Sequence, residues 1–571
     1  MFDLIIKNGT IVDGTGRKSF IADIAIQNDK IAKIQPAIKD GAHKLIDVKN
    51  KLVCPGFIDP HSHIEESLLW AKDNTSYLSQ GVTTQIGGNC GVSPVPLGKY
   101  WLSFISNIGN RIQNLVGYYQ LFLPDNLSSK EMVEFYNKTF DIEISYENFT
   151  EYRSSIERIG IGTNVLMLIG HGSLRKYVMG TDVFRKATES EIAKMQNILD
   201  QYLTEGAIGF STGLDYAPGA FASTEEIIAL AKVVRKHNKM YTSHVRAKSI
   251  YIGGGSDDTM VSGIREAIQI ARETDVKLHI SHIDYGNYNF EEVKEMLIQA
   301  KEEGVDLTCD VISSASAGGI GYTYLLGFLK PWYLTAGSID QFTKNISDSD
   351  YIEFMIRDMK NNAWFLTNDD KMTTLPHSLK VLKCNDEKFA YKYIIQIMGE
   401  NNWNFQEALI NIIKADVYTR VKFGRADNET DTAMRRKWFE CEFAMPCSDS
   451  SAANAKSEHG GEFPLNELPH ANSFNAYIKY LLFYGPNEIE QKIRKATGDV
   501  AERFMIRKRG KLIEGNYADI IVIDQNKLDL NENPDDPRAY PHGIETVIVN
   551  GKIVIHKEHP LNPISGRFLI N

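Results

Sequence analysis

Hydrophobic and polar positions follow two rhythms along this chain. At the N-terminus, short β-branched runs in FDLIIKNGTIVDG, ADIAIQNDKIAKI and KLIDVKNKLVCPG are broken by Asn-Gly, Asn-Asp and Lys-Asn pairs, which reads as strands joined by tight turns. The stretch from about Gly510 has the same character in GKLIEGNYADIIVID and ETVIVNGKIVIH. Neither end is long enough to bury a core of its own. Residues 1–55 and 510–571 are therefore expected to build one β-sandwich domain, with two independent small β domains as the alternative.

The middle alternates differently. Apolar runs at 52–59 (LVCPGFID), 82–88, 164–170, 207–213, 239–245, 277–283, 306–312 and 441–447 are separated by longer segments. Several of these segments show helical periodicity, such as ESEIAKMQNILDQYLTEG and STEEIIALAKVVRKHN. Eight strands alternating with helices predict an α/β fold, a (β/α)8 TIM-like barrel over 56–509. A doubly wound sheet is the competing layout, but no GxGxxG follows the first strand. Two connections are long: 93–160, and an insertion at 313–438 after the seventh strand. Such segments at a barrel mouth commonly form walls or lids over a site.

Composition narrows the function. With 43% hydrophobic and 24% charged residues, the chain is of ordinary globular type. A net charge of −10 repels phosphate backbones, so no nucleic-acid partner is expected. Six cysteines, none in a CxxC pair, suit a reducing cytoplasm or a metal ligand better than a disulfide framework. Leu4–Ile6 is too short a run for a signal peptide, and Asn107, Asn110, Arg111, Gln113 and Asn114 interrupt the most apolar stretch, 101–123. A cytoplasmic protein without a membrane partner is expected, and a homo-oligomer is left open.

The candidate chemistry sits at strand ends. His61 and His63 lie two apart on an extended segment, so both imidazoles point the same way and can reach one ion. A lone HxH is weak evidence, because a strand-end histidine is more often a hydrogen-bonded wall residue. Cys90, His244, His282 and Asp449, however, close the second, fifth, sixth and eighth predicted strands. Catalytic groups of a (β/α)8 barrel gather at these carboxyl ends. Six metal-type side chains in matching topological places predict a metal site.

These stretches resemble the amidohydrolase superfamily and, within it, the N-acyl-D-amino-acid deacylase (D-aminoacylase) family. The resemblance rests on PGFIDPHSH (55–63), GVTTQIGGNCG (81–91), GHGSLRKYVMG (170–180), AIGFSTGLDYAPG (207–219), SHVR, ISH, CSD and the closing GNYADIIVID, and it spans the whole chain. It implies a zinc-dependent hydrolase of a linear amide. Cys90, His244 and His282 resemble a tight zinc site, while His61, His63 and Asp449 resemble a second, weaker or optional position. Most amidohydrolases carry a carbamylated lysine on the fourth strand; here AIGFSTGLDY offers none, and Cys90 takes its place. A thiolate supplies the same single negative charge. Asp449 then serves as general base and acid, Tyr216 as a partner of the carbonyl oxygen, and His171 as a supporting third-strand residue.

Three departures from the family pattern concern substrate recognition. Asp284 stands where the family has a lysine, Ser313 and Ser314 where it has a Tyr-Pro-Tyr, and no arginine lies between Asp449 and Arg494 where a carboxylate clamp belongs. Loss of a bidentate arginine removes the strongest contact to a substrate carboxylate, and an ionised Asp284 would repel one. The expected partner is a small-molecule amide of altered type. Cyclic-amide hydrolysis, as in hydantoinase-like relatives, and a catalytically silent binding protein are the alternatives.

Overall fold

The computed structural model describes residues 1–96, 146–246, 257–313, 321–361, 375–423, 429–452, 471–532 and 538–570, apart from short breaks at 69–70, 181, 184, 216–217, 285–288, 330–331, 333–335, 337–338 and 562–563. Eight strands pair in parallel and in chain order: Phe57–Asp59, Val82–Gly87, Asn164–Gly170, Gly209–Gly213, Met240–His244, Lys277–Ile280, Leu307–Ile312 and Ala444–Cys447. Most of their residues are buried on both faces, as parallel strands covered by helices must be. The first and eighth strands meet just past their ends. Asp449 N–H donates to His61 O and His63 N–H to Ser450 O, both at 2.9 Å. The result is a nearly closed eight-stranded α/β barrel.

The run LVCPGFID is not one strand. Leu52–Pro55 belongs to a different sheet, and only Phe57–Asp59 enters the barrel. The break falls at Gly56, where a Cβ would lie 2.2 Å from the Thr83 side chain, so only glycine lets the chain cross against the second strand.

Helices begin where the sequence provides caps. Thr188 and Glu191 form a reciprocal capping box at the start of Glu189–Glu205, and Ser223 caps Thr224–Lys236. Both helices bury an apolar face, including Leu199 and Leu203 of one and Ile227 and Leu230 of the other.

The second sheet has nine strands drawn from both chain ends. Leu52–Pro55 pairs in parallel with Phe2–Ile11 and antiparallel with Ile520–Ile523, in the register Val53↔Val522. A buried polar network ties this sheet to the barrel. Arg509 pairs with Asp519 and donates to Asn550 Oδ1 at 2.8 Å. Asn164 Nδ2, from the third barrel strand, donates to Asp519 Oδ2 at 3.2 Å, and Asn550 Nδ2 donates back to Asn164 Oδ1 at 2.8 Å.

The connection after the seventh barrel strand contains a small α/β unit. Strands Gly321–Tyr324, Arg420–Phe423 and Lys380–Lys383 pair antiparallel in that order. Helices Ser349–Asn361 and Phe405–Ala415 pack with them around a separate core that includes Leu325, Phe342, Leu409, Ile413 and Val421. Helix Glu429–Glu440 then leads into the last barrel strand. No helix among the described residues is long and apolar enough to cross a membrane.

Candidate metal centre

The barrel topology brings all six metal-type side chains to one end of the sheet. His61, His63, Cys90 and Asp449 form one group whose donor atoms lie within 4.8 Å of one another; Cys90, His244 and His282 form a second. Cys90 belongs to both. Its Sγ lies 3.3 Å from His61 Nε2, 3.6 Å from His244 Nδ1 and 3.5 Å from His282 Nε2. Asp449 Oδ1 lies 3.2 Å from both His61 Nε2 and His63 Nε2.

Backbone conformation directs these side chains. Cys90 (φ 53°), His282 (φ 31°) and Asp449 (φ 46°) all sit in the left-handed region, which non-glycine residues seldom adopt. Each turns the chain sharply at a strand end, so its side chain leaves the sheet toward the cluster. Such strain persists only where the surroundings enforce it. At Asp449 the enforcing contacts are dense. Ser448 Oγ donates to Asp59 Oδ2 at 2.5 Å, Tyr77 Oη donates to Ser450 O at 2.6 Å, and Asn472 Nδ2 donates to Ser448 O at 2.8 Å.

Three carboxylates absent from the sequence-based list hold the imidazoles. Asp310 Oδ2 lies 3.2 Å from His61 Nδ1, Glu65 Oε1 lies 2.9 Å from His63 Nδ1, and Asp215 Oδ2 lies 3.7 Å from His244 Nε2. In each case the nitrogen facing a carboxylate is the one turned away from the Cys90–Asp449 cluster, the arrangement found behind metal-bound histidines. A sequence signal existed for two of them. Glu65 stands two residues after His63, and Asp310 is an acid inside an otherwise apolar strand, which demands a partner.

Charge follows this geometry. Burial would raise the Cys90 thiol, yet His61, His244 and His282 hold it well below the ordinary thiol value, which favours the ligand-ready thiolate. Burial would likewise raise Asp449, but His61 and His63 keep it well below the usual carboxylate range. Burial would lower His244, but Asp215 and Cys90 lift it to about 9.

The remaining candidates are placed unevenly. His171 is buried at the end of the third strand with Nε2 2.8 Å from Glu226 Oε1, and Arg175 Nη1 donates to both Glu226 oxygens. Burial would raise Glu226, but His171 and Arg175 hold it at about 2. Asp284 is 3% exposed, and the expected repulsion of a substrate anion is offset locally: Arg435 Nε donates to its Oδ2 and Ile312 N–H to its Oδ1, both at 3.0 Å. Arg435 comes from helix Glu429–Glu440 at the end of the long connection, and nothing in the sequence marked it. The Ser313 hydroxyl donates to Ala476 O at 2.6 Å, which ties the seventh strand to helix Asn472–Phe483. Tyr216 and Ser314 lie outside the described residues.

The sequence profile described as "Amidohydrolase family" matches residues 44–315, and D-aminoacylase of Alcaligenes xylosoxydans xylosoxydans is 28% identical over 100% of this chain and 97% of its own length. The chain is thus similar to amidohydrolases along its whole length. A solved D-aminoacylase superposes on this chain with a TM-score of 0.69 at 25% identity, covering 100% of both chains. The N-acyl-D-glutamate deacylase of Bordetella bronchiseptica shares the fold with a TM-score of 0.69 at 22% identity, again over 100% of both chains. The protein is a hydrolase of C–N bonds other than peptide bonds. Its fourth barrel strand, GFSTG, carries no lysine.

Proposed function

We propose that the protein is a zinc-dependent amidase of the N-acyl-D-amino-acid deacylase type, acting on linear amides with a specificity shifted away from the free acid. The observation that carries this reading is the position of Cys90 Sγ between His61, His244 and His282, shared by both donor groups. The donor set fits the metal. One thiolate with two imidazoles is a zinc-type set that leaves a position open, and carboxylates behind the imidazoles fix which nitrogen is bare. Two relatives support the choice: the solved D-aminoacylase is described as having a binuclear metal centre, and the solved glutamate deacylase was complexed with zinc and a phosphonate mimic of the tetrahedral intermediate.

Cys90, His244 and His282 would hold the tighter ion, and His61, His63 and Asp449 a second, weaker or optional one. Zinc bound there supplies a positive charge for a carbonyl oxygen and makes a water nucleophilic near neutral pH. The chain's own residues do the rest. Asp449, ionised and fixed by the Asp59–Ser448–Tyr77 contacts, takes the proton of the attacking water and returns it to the leaving nitrogen, the usual general base and acid cycle. Tyr216 is assigned to the carbonyl oxygen as a donor. His171 is held by Glu226 at the wall of the same barrel end.

Specificity follows from charge. With Asp284 already paired to Arg435, the sixth-strand position offers a substrate carboxylate neither attraction nor strong repulsion. The loss of two charge-assisted contacts lowers kcat/KM for a free acid by about 10²-fold or more. The test compares an N-acetyl-D-amino acid with its carboxamide in steady state on zinc-loaded protein. Equal or better turnover of the carboxamide is expected. A large preference for the free acid would return the ordinary family substrate, and hydrolysis of neither would overturn the linear-amide reading.

A further inference from the structure

We infer that Asp310 is a positioning residue for both donor groups at once, an inference that rests on the metal reading above. Asp310 lies in the seventh strand, Leu307–Ile312, fully buried between Cys309 and Val311. A carboxylate in such a place costs several kcal/mol unless it is fully hydrogen-bonded, so its presence requires partners.

Its four contacts form a pattern. Oδ2 lies 3.2 Å from His61 Nδ1 and 2.9 Å from His279 Nε2. Oδ1 accepts from the His282 backbone N–H at 2.6 Å and from the Cys447 thiol at 3.1 Å. Glu65 faces the imidazole of His63 and accepts from the Gly88 N–H at 2.8 Å, and Asp215 faces the imidazole of His244, so each meets the ring of one ligand-type histidine. Asp310 instead meets the ring of His61 in one group and the backbone of His282 in the other. Cys447 precedes Asp449 by two residues, so the segment that carries the general base touches the same carboxylate.

Each contact has a mechanical effect. Accepting from His61 Nδ1–H leaves Nε2 bare, toward Cys90 and Asp449. The His282 N–H bond pins a left-handed residue that would otherwise relax. His279, whose Nδ1 lies 2.7 Å from Thr308 Oγ1, braces Asp310 from within the barrel sheet. A shift of this one carboxylate therefore displaces a ligand in each group.

The test reads zinc binding rather than turnover. Zinc is titrated against a competing chelator, and cobalt(II)-loaded protein gives a visible spectrum, for the natural chain and for Asp310→Asn, Glu65→Gln and Asp215→Asn. Glu65→Gln is expected to weaken only the looser position and Asp215→Asn only the tighter. Asp310→Asn places an amide against donors and is expected to weaken both by about 10- to 100-fold, with the cobalt bands altered. Either position keeping its natural affinity in Asp310→Asn overturns the inference, as does a natural chain that shows only one zinc phase. A natural chain that takes up no zinc overturns the metal reading instead. If circular dichroism shows Asp310→Asn unfolded, His279→Gln replaces it, because it loosens the brace and leaves the His61 and His282 contacts intact. Weakening of both positions, by a smaller factor, is then expected, and an unchanged affinity at either position overturns the inference.

Discussion

Two buried polar networks in this molecule look alike and behave differently. Where the nine-stranded sheet meets the barrel, Arg509, Asp519, Asn164 and Asn550 satisfy one another: one cation meets one anion, and the amides close the circle. At the barrel mouth, Cys90, Asp449, Asp310, Glu65 and Asp215 bring five anionic groups around imidazoles that must be neutral to ligate. The first network is complete within the protein. The second balances only with protons or a metal cation. On the metal reading, buried polar residues serve stability in one place and binding in the other, and the charge count separates them.

Substitution tests that contrast directly. The largest effect is expected at Asp449. Asp449→Asn should retain most metal and the fold while losing about 10²- to 10⁴-fold in kcat/KM, measured in steady state on zinc-loaded protein. Near-normal turnover would place the proton transfer elsewhere. Arg509→Met should do the reverse, costing about 3–5 kcal/mol in denaturant unfolding because Asp519 is left buried and unpaired, with zinc affinity of the folded fraction unchanged. A matching loss of zinc affinity would erase the distinction between the networks.

A smaller effect sharpens the comparison at the His171–Glu226–Arg175 cluster. Glu226 is depressed from 4.5 to about 2, so its contribution to stability is fully present above about pH 4.5 and is lost as pH falls toward 2. Glu226→Gln should remove on the order of 3 kcal/mol near neutral pH and flatten the acid limb of the stability curve, read by denaturant midpoints at several pH values. An acid limb identical to that of the natural chain would mean that Glu226 does not carry this linkage.

The metal-type residues were legible because strand periodicity and strand-end punctuation place them. His61 and His63 need only the two-residue alternation of an extended chain, and Cys90, His244, His282 and Asp449 need only the ends of apolar runs. Their carboxylate partners were harder to read. Asp215 sits in a bend whose course depends on tertiary packing, Glu65 reaches His63 only because the short helix Ile64–Ser67 follows the first strand, and the pairing of Asp310 with His61 spans 249 residues. Arg435 likewise has no local cue, since its partner Asp284 is 151 residues away. The run LVCPGFID hid its division between two sheets because hydrophobicity is continuous across it, and only the steric demand at Gly56 separates them.

The left-handed backbone at Cys90, His282 and Asp449 has an evolutionary consequence. Asparagine and glycine occupy that conformation more comfortably than cysteine or histidine do. A lineage released from the need for catalysis would gain stability by drifting to those residues at these three positions. A homologue with Asn or Gly at Cys90 or His282 would therefore have exchanged a metal-type side chain for a more relaxed backbone.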